Sequence, residues 1–308
     1  MRRSLNFEAK KQRISDPSHL VGVKPTSIPT HQLPGLSRIP TRIERIEPTT
    51  NAVSNDVHRH DFHELFFFAS GSGEHMIDLE QVTINAPCVH LVAPGQVHQL
   101  DRSADMQGLV VMFATSAQLG QGHVARAELF MHADRPCAFS VDGDQLRESN
   151  TLVEMMETEL ERTTGPVGDV VEGILGILLI KCAHWAKTNS GEAFSKADTS
   201  DSVDRFVDLV ERGFIEERQV GKYAAQLSIS ADHLNEQVKK RLGRTASSVI
   251  QERLMLEAKR LLLHADLSIK EVGYALNMKD PAYFTRWFHK VEGDTPAAFR
   301  SRIREKYK

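Results

Sequence analysis

The strongest constraint in this sequence is an internal repeat with a spacing of 50 residues near the C-terminus: Leu234 and Phe284, Val238 and Phe288, Gly243 and Gly293, Thr245 and Thr295, and Val249 and Phe299 correspond. Self-similarity at a fixed spacing marks one supersecondary unit used twice. Each copy reads as helix, tight turn, helix, and then a Gly and a Thr that opens a further helix. The caps are written in the sequence. Ser230 is an N-cap, and Ser268-Ile269-Lys270-Glu271 is a capping box. Asp280-Pro281 and Thr295-Pro296 each set a cap ahead of a proline at the first helical position.

Two helix–turn–helix units in one segment suggest reading of DNA through the major groove. The charge supports this. Residues 220–308 hold 17 Lys+Arg against 10 Asp+Glu, whereas residues 1–219 hold 21 against 31, so a net −3 is resolved into −10 followed by +7. In the second helix of the first copy, Leu234, Val238 and Leu242 form the core stripe, and Asp232, Asn235, Glu236 and Lys239 lie opposite. In the second copy, Phe284, Phe288 and Val291 are core, opposite Ala282, Thr285, Arg286 and His289. Asn pairs with adenine, Arg with guanine and Glu with the cytosine amino group, while small methyls meet thymine, so these exposed stripes are the candidate base-facing residues. Lys240, Arg241, Arg244 and Lys290, at helix ends, are candidates for phosphate contacts. One long helix from Thr245 to His264, with Ile250, Leu254, Ala258, Leu261 and Ala265 on one stripe, spans roughly 30 Å between the copies, close to one turn of B-DNA.

At these residues the chain resembles the AraC/XylS transcriptional regulators, over about residues 203–305. The stretch from Asp280 to Arg300, DPAYFTRWFHKVEGDTPAAFR, is similar to the family's signature. Two turns depart from it: Asn277-Met278 stands where the family has Gly-Phe, and Ser228-Ile229 where it has Gly and an apolar residue. Asn tolerates left-handed backbone and Met replaces Phe as packing, so the fold is expected to survive. The resemblance adds Tyr283 to the DNA-facing set. It implies a transcription regulator, expected to be an activator, with double-stranded DNA, a small-molecule effector, RNA polymerase and a second copy of itself as partners.

Upstream, the pattern is of short strands closed by turn signals: 64–69 before Gly71-Ser72-Gly73, then 75–79, 88–93 before Pro94-Gly95, and 109–113. His58-Arg-His60-Asp-Phe-His-Glu64, with Gly71 after it, resembles the first cupin motif and Pro94-Gly-Gln-Val-His98 the second. The expected architecture is therefore α+β with two domains: a cupin-like β-barrel followed by helices, then an all-α double helix-turn-helix domain. The expected boundaries are a Pro-rich arm over 1–41, a barrel to about 140 with helices over 144–188, a linker over 189–202, and the DNA-binding part over 203–308.

On an extended backbone His58, His60, Phe62, Glu64, Phe66 and Phe68 share one face, and with His98 they form the candidate effector pocket. His58, His60, Glu64 and His98 also form a candidate 3-His-1-carboxylate site for a divalent Fe, Mn, Ni or Zn. Leu152, Met156, Leu160, Leu175, Leu178 and Leu179 make an apolar ridge that is either cover for the barrel or a dimer seam. The longest apolar run, 174–180, is too short for a membrane span, and three scattered cysteines without a CxxC pair fit a reducing cytoplasm. Two other functions stay open: a cupin metalloenzyme (dioxygenase or isomerase) with a fused helical domain, and a ligand-independent regulator. Against an enzyme stands the lack of any further acid/base or nucleophile motif.

Overall fold

The computed structural model describes residues 28–33, 39–114, 116–117, 119, 122–130, 137–190 and 201–306. Most of the expected arm and linker lies outside these residues.

The N-terminal part is β-rich. Its strands are β1 (Thr30–His31), β2 (Thr41–Ile46), β3 (Val53–Ser54), β4 (Arg59–His60), β5 (Phe62–Ser70), β6 (Ser72–Ile77), β7 (Glu80–Asn85), β8 (Cys88–Val92), β9 (His98–Arg102), β10 (Gln107–Ala114) and β11 (Cys137–Ser140). They form a five-stranded sheet, β11-β8-β5-β10-β2, a four-stranded sheet, β3-β9-β6-β7, and a separate pair, β1-β4. The expected closed barrel is therefore not found among the described residues: hydrogen bonding does not join the end strands of the two sheets. Two of the passages from one sheet to the other, β5 to β6 and β8 to β9, run through glycines. Gly71 has φ +92°, and a Cβ there would lie 2.5 Å from the Met106 Cα. Gly95 has φ +78°.

Alternation along β5 decides the layering. Phe62, Phe66 and Phe68 pack with Ile77, Ile84 and Leu100, so this face lies between the sheets. Leu65 and Phe67 point the other way, into a cluster with α1 (Gly122–Phe130), α2 (Gly143–Leu160) and α3 (Val167–Ser190). Burial on both faces explains why β5 reads as an apolar run rather than an alternation. The apolar ridge is core: Met156, Leu175, Leu178 and Leu179 are fully buried and Leu152 and Leu160 pack beside them.

The C-terminal part is helical: α4 (Asp201–Gly213), α5 (Val220–Gln226), α6 (Ala231–Leu242), α7 (Ala246–His264), α8 (Ile269–Ala275), α9 (Pro281–Glu292) and α10 (Pro296–Lys306). The repeat is expressed residue by residue. Ser230 and Asp280 cap α6 and α9, Gly243 and Gly293 end them in left-handed geometry, and Ser268 and Glu271 complete a capping box on α8. Ser228 at φ +58° and Asn277 at φ +54° take the left-handed turn positions without glycine. Ile229 N–H bonds to the Ala224 carbonyl and Met278 N–H to that of Gly273, so the two turns are built alike. The second turn carries one extra residue, Lys279, before its cap. Leu234, Val238, Phe284 and Phe288 are fully buried. Val291 is not core: it is 43% exposed. The inward place in that last turn goes to Glu292, whose carboxylate meets Lys259 of α7 at 2.5 Å.

Candidate functional site

Both recognition-type helices, α6 and α9, turn a polar face to solvent. Asp232, Glu236 and Lys239 are exposed on α6, and Ala282, Tyr283, Arg286 and His289 on α9. Arg286 Nη2 lies 3.4 Å from the Asp280 carboxylate with both side chains mostly in water. Two members of the stripes have intramolecular tasks. Asn235 is half-buried and its Oδ1 accepts from Ala246 N at the start of α7 (3.1 Å). Thr285 is half-buried and donates to the Pro281 carbonyl (3.1 Å). Among the expected phosphate contacts, Lys240 and Lys290 are exposed. Arg244 pairs with Glu252. Arg241 departs from expectation: its side chain is 9% exposed and its guanidinium meets Asp204 of α4 at 2.8 Å. The carboxylate on the neighbouring helix holds it in a buried ion pair rather than at the surface.

The histidine-rich face of the β-rich part forms a second cluster. His60 Nε2, Glu64 Oε2 and His98 Nε2 are buried atoms without a hydrogen-bond partner outside this group, and the three residues offer ligand atoms within 4.8 Å of one another. His60 and His98 stand 3.0 and 3.6 Å from the same Glu64 oxygen. The second nitrogens are occupied: His60 Nδ1 donates to the Phe62 carbonyl (2.7 Å), and His98 Nδ1 meets His75 Nε2 (3.1 Å). Outer hydrogen bonds of this kind orient metal-binding imidazoles, so these three residues fit a divalent cation. His58 does not join them. Its Nδ1 is tied to the Asp56 carbonyl (2.8 Å) and its ring packs on His98 and His31.

Burial holds His63, His75 and His98 well below the ordinary imidazole value, and brings His90 from 6.5 to about 4. His90 faces His75, stacked at 5.6 Å, the edge of Phe68, and the Cys88 thiol. A depressed folded-state value means that stability is full above about 6.5 and is lost as the pH falls toward 4. His90 alone should cost about 2 kcal/mol by pH 5 and about 3 kcal/mol by pH 4. Urea midpoints measured from pH 7 to 4 check this, and a His90→Phe variant should show a shallower fall.

The two parts are joined through α7. Arg260, fully buried, donates from Nε and Nη2 to the Asp78 carboxylate at 2.6 and 2.9 Å. Asp78 sits in the β6–β7 turn and is held there by Val97 N (3.0 Å) and Gln96 Nε2 (3.1 Å). His264 donates to the Asp78 carbonyl at 3.2 Å. Glu257 takes Arg59 of β4 at 2.5 Å and Arg253 at 3.3 Å. Burial pushes Glu257 upward, but Arg253, Arg260 and Arg59 overcome this and hold it at about 2. Val97 and Ile28 complete the junction by entering the apolar core of the helical part. Arg253, Glu257, Arg260 and His264 recur at helical spacing and so share one face of α7.

Beside this junction lies a cavity of about 570 Å³. One wall is from the β-rich part, with Arg59, His60, His63, Gly95, Arg126 and Phe130; the other is from α4 and α7, with Asp204, Val207, Asp208, Glu211, Arg212 and Arg253. Of the seven residues expected to form an effector pocket, only His60 lines it. Phe62, Phe66 and Phe68 are buried in the packing between the sheets. Two of its lining residues, Arg126 and His63, carry no sequence signal: α1 has no motif, and His63 lies on the opposite face of β5 from Phe62 and Glu64.

The architecture defines a class: a β-rich sensor-type domain fused to a double helix–turn–helix. Known proteins agree in both halves. A model of the AraC-like ligand binding domain matches residues 41–116, and a helix-turn-helix domain model matches residues 223–302. Curated relatives include the HTH-type transcriptional activator RhaS of Yersinia pestis (strain Pestoides F), 22% identical over 252 residues, covering 80% of this chain and 89% of that protein. Solved structures that align include ToxT of Vibrio cholerae, at 12% identity and TM-score 0.35 over 84% of this chain and 97% of that one. Another is the C-terminal domain of the response regulator yesN of Fusobacterium nucleatum, at 24% identity and TM-score 0.31 over 33% of this chain and 99% of that one. The two models, in this order along the chain, support an AraC-family DNA-binding transcription regulator with an N-terminal ligand-binding domain. Among the described residues no helix is long and apolar enough to cross a membrane.

Proposed function

We propose that this protein is a cytoplasmic transcription activator that reads two adjacent major-groove segments with α6 and α9 and is controlled by a small molecule. The observation that carries the reading is the pair of solvent-facing stripes, Asp232, Glu236 and Lys239 on α6 and Ala282, Tyr283, Arg286 and His289 on α9, on two units built alike. Arg286 is assigned to guanine and Glu236 to a cytosine amino group, while Lys240 and Lys290 are assigned to phosphates. The helix between the units, 19 residues long, extends about 28 Å, in keeping with adjacent turns of one DNA face. Activation rather than repression is supported by relatives named as activators, and contact with RNA polymerase belongs to the same reading. The test is a reporter carrying the protein's selected site upstream of a weak promoter. Transcription should rise with the wild-type chain and stay basal with Arg286→Ala; a fall below basal would make it a repressor.

The homodimer is assigned to α3 rather than to the buried ridge. Val170, Gly173, Ile177 and Ile180 are exposed and recur at steps of three and four, the spacing of a two-helix seam. Ile177 and Ile180 are 49% and 43% exposed, an apolar surface that a second copy would cover. An Ile177→Glu, Ile180→Glu double variant should sediment as a monomer at concentrations where the wild type is a dimer, with unchanged helicity. A divalent cation on His60, Glu64 and His98 belongs to the same reading as a stiffening group between β4, β5 and β9, bound through imidazole and carboxylate donors.

A further inference from the structure

We propose that the cavity between the β-rich part and the helical part is the effector site, and that it binds a small organic carboxylate on Arg126. This rests on the reading that the regulator is effector-controlled, and it adds the place, the ligand class and the route to the DNA-reading surface. The cavity's volume, about 570 Å³, is of small-molecule size. Arg126 of α1 is 7% exposed, and Nη2 is 3.1 Å from the Asp208 carboxylate of α4. Asp208 itself keeps 35% of its side chain in water, so the guanidinium is the buried partner and the carboxylate the replaceable one. A second guanidinium–carboxylate pair, Arg253 with Glu211 at 2.7 Å, stands in the same walls. A guanidinium fork matches the two oxygens of a carboxylate, and the group that Arg126 already holds is a carboxylate. His63, lining the cavity, has a buried Nδ1 without a hydrogen-bond partner, which a polar atom of the ligand would satisfy. Phe130 and Val207 offer the ligand's carbon body an apolar surface.

The route to DNA runs along α4. A ligand carboxylate on Arg126 displaces Asp208 and removes the tie between α1 and α4. One turn earlier on α4, Asp204 lines the same cavity and meets Arg241 of α6 at 2.8 Å. The recognition helix is thus one ion pair away from the site. A ligand that prefers the state in which α4 is released from α1 shifts the population of α6 placements, and only that differential affinity does so.

The test uses the full chain. Thermal unfolding is followed with phenylacetate, hexanoate and gluconate, each beside its own carboxamide, and the same samples are assayed for binding to a selected DNA site. At least one carboxylate should raise the melting temperature and change DNA affinity, while its carboxamide does neither. Arg126→Gln should raise the half-saturating concentration by at least roughly tenfold. Asp208→Asn, which removes the internal competitor, should keep binding or tighten it. No stabilisation by any of the three carboxylates, an unchanged half-saturation in Arg126→Gln, or loss of binding in Asp208→Asn would overturn the proposal. Should Arg126→Gln fail to fold, Asp208→Asn and the carboxamide comparison decide. A protein that binds DNA but ignores every carboxylate sinks this site alone. One that binds carboxylates but selects no DNA sinks the DNA-reading assignments instead.

Discussion

Arg260→Ala should lower the folding free energy by about 3–5 kcal/mol, because it leaves a buried carboxylate without its charge partner. Arg260 is fully buried on α7 and grips Asp78 with two nitrogens at 2.6 and 2.9 Å. Asp78 is itself 6% exposed, and without the guanidinium it is left with neutral donors such as Val97 N and Gln96 Nε2. Glu257, held at about 2 by Arg253, Arg260 and Arg59, loses one of those cations at the same time. Asp78→Ala should cost a similar amount, and the double variant much less than the sum of the two, since the cost is that of an unpaired buried charge. Arg45→Ala is the control. Its partner Glu157 sits at the surface, and such pairs contribute about 0–1 kcal/mol. Urea denaturation of the four variants measures all of this. A loss at Arg260 no larger than at Arg45 would mean that α7 is not fastened to the β-rich part through this pair.

The second large effect is expected at Phe288→Ala, about 3–5 kcal/mol through lost packing and the cavity left behind. Phe288 is fully buried, with Phe284 and Phe299 edge-on at ring distances of 5.9 and 5.6 Å. These three rings fasten α9 to α10, so the truncation should also loosen the second recognition helix and weaken DNA binding. Val291→Ala, three residues on, should be almost neutral in stability because Val291 is 43% exposed. Chemical denaturation gives the stabilities, and amide exchange over α9 shows whether the loosening is local.

Where a signal was local, the sequence was a good guide. Caps, turn residues and the 50-residue register produced the two helical units, down to left-handed Asn277; Ser228 takes the same geometry without having been read so. The face of β5 was legible too, since alternation alone places Phe62, Glu64, Phe66 and Phe68 together, and His60 meets Glu64 and His98 as the cupin-like motifs suggested. What failed was whatever depended on partners distant in sequence. Arg241 has the spacing of a phosphate contact, yet Asp204, 37 positions earlier, takes it inward. The stripe Arg253, Glu257, Arg260 and His264 gave no sign of its role, because its partners Asp78 and Arg59 come from the other part. Closure of the β-sheets into a barrel depends on which strands meet at the edges, and short strands with equal spacing serve open sheets as well. The cavity was invisible for the same reason: half of its lining comes from α4 and α7.

The central claim is that two copies of one unit read DNA from a single chain. Its most direct measurement is selection of binding sites from random duplex DNA with the full-length protein at low salt. The account predicts a bipartite sequence whose two recognised segments are centred about one helical turn, or roughly 10–11 base pairs, apart. Glu236→Ala should relax the preference in one segment and Arg286→Ala in the other. Enrichment of one undivided segment insensitive to either variant, or no enrichment at all, would contradict it.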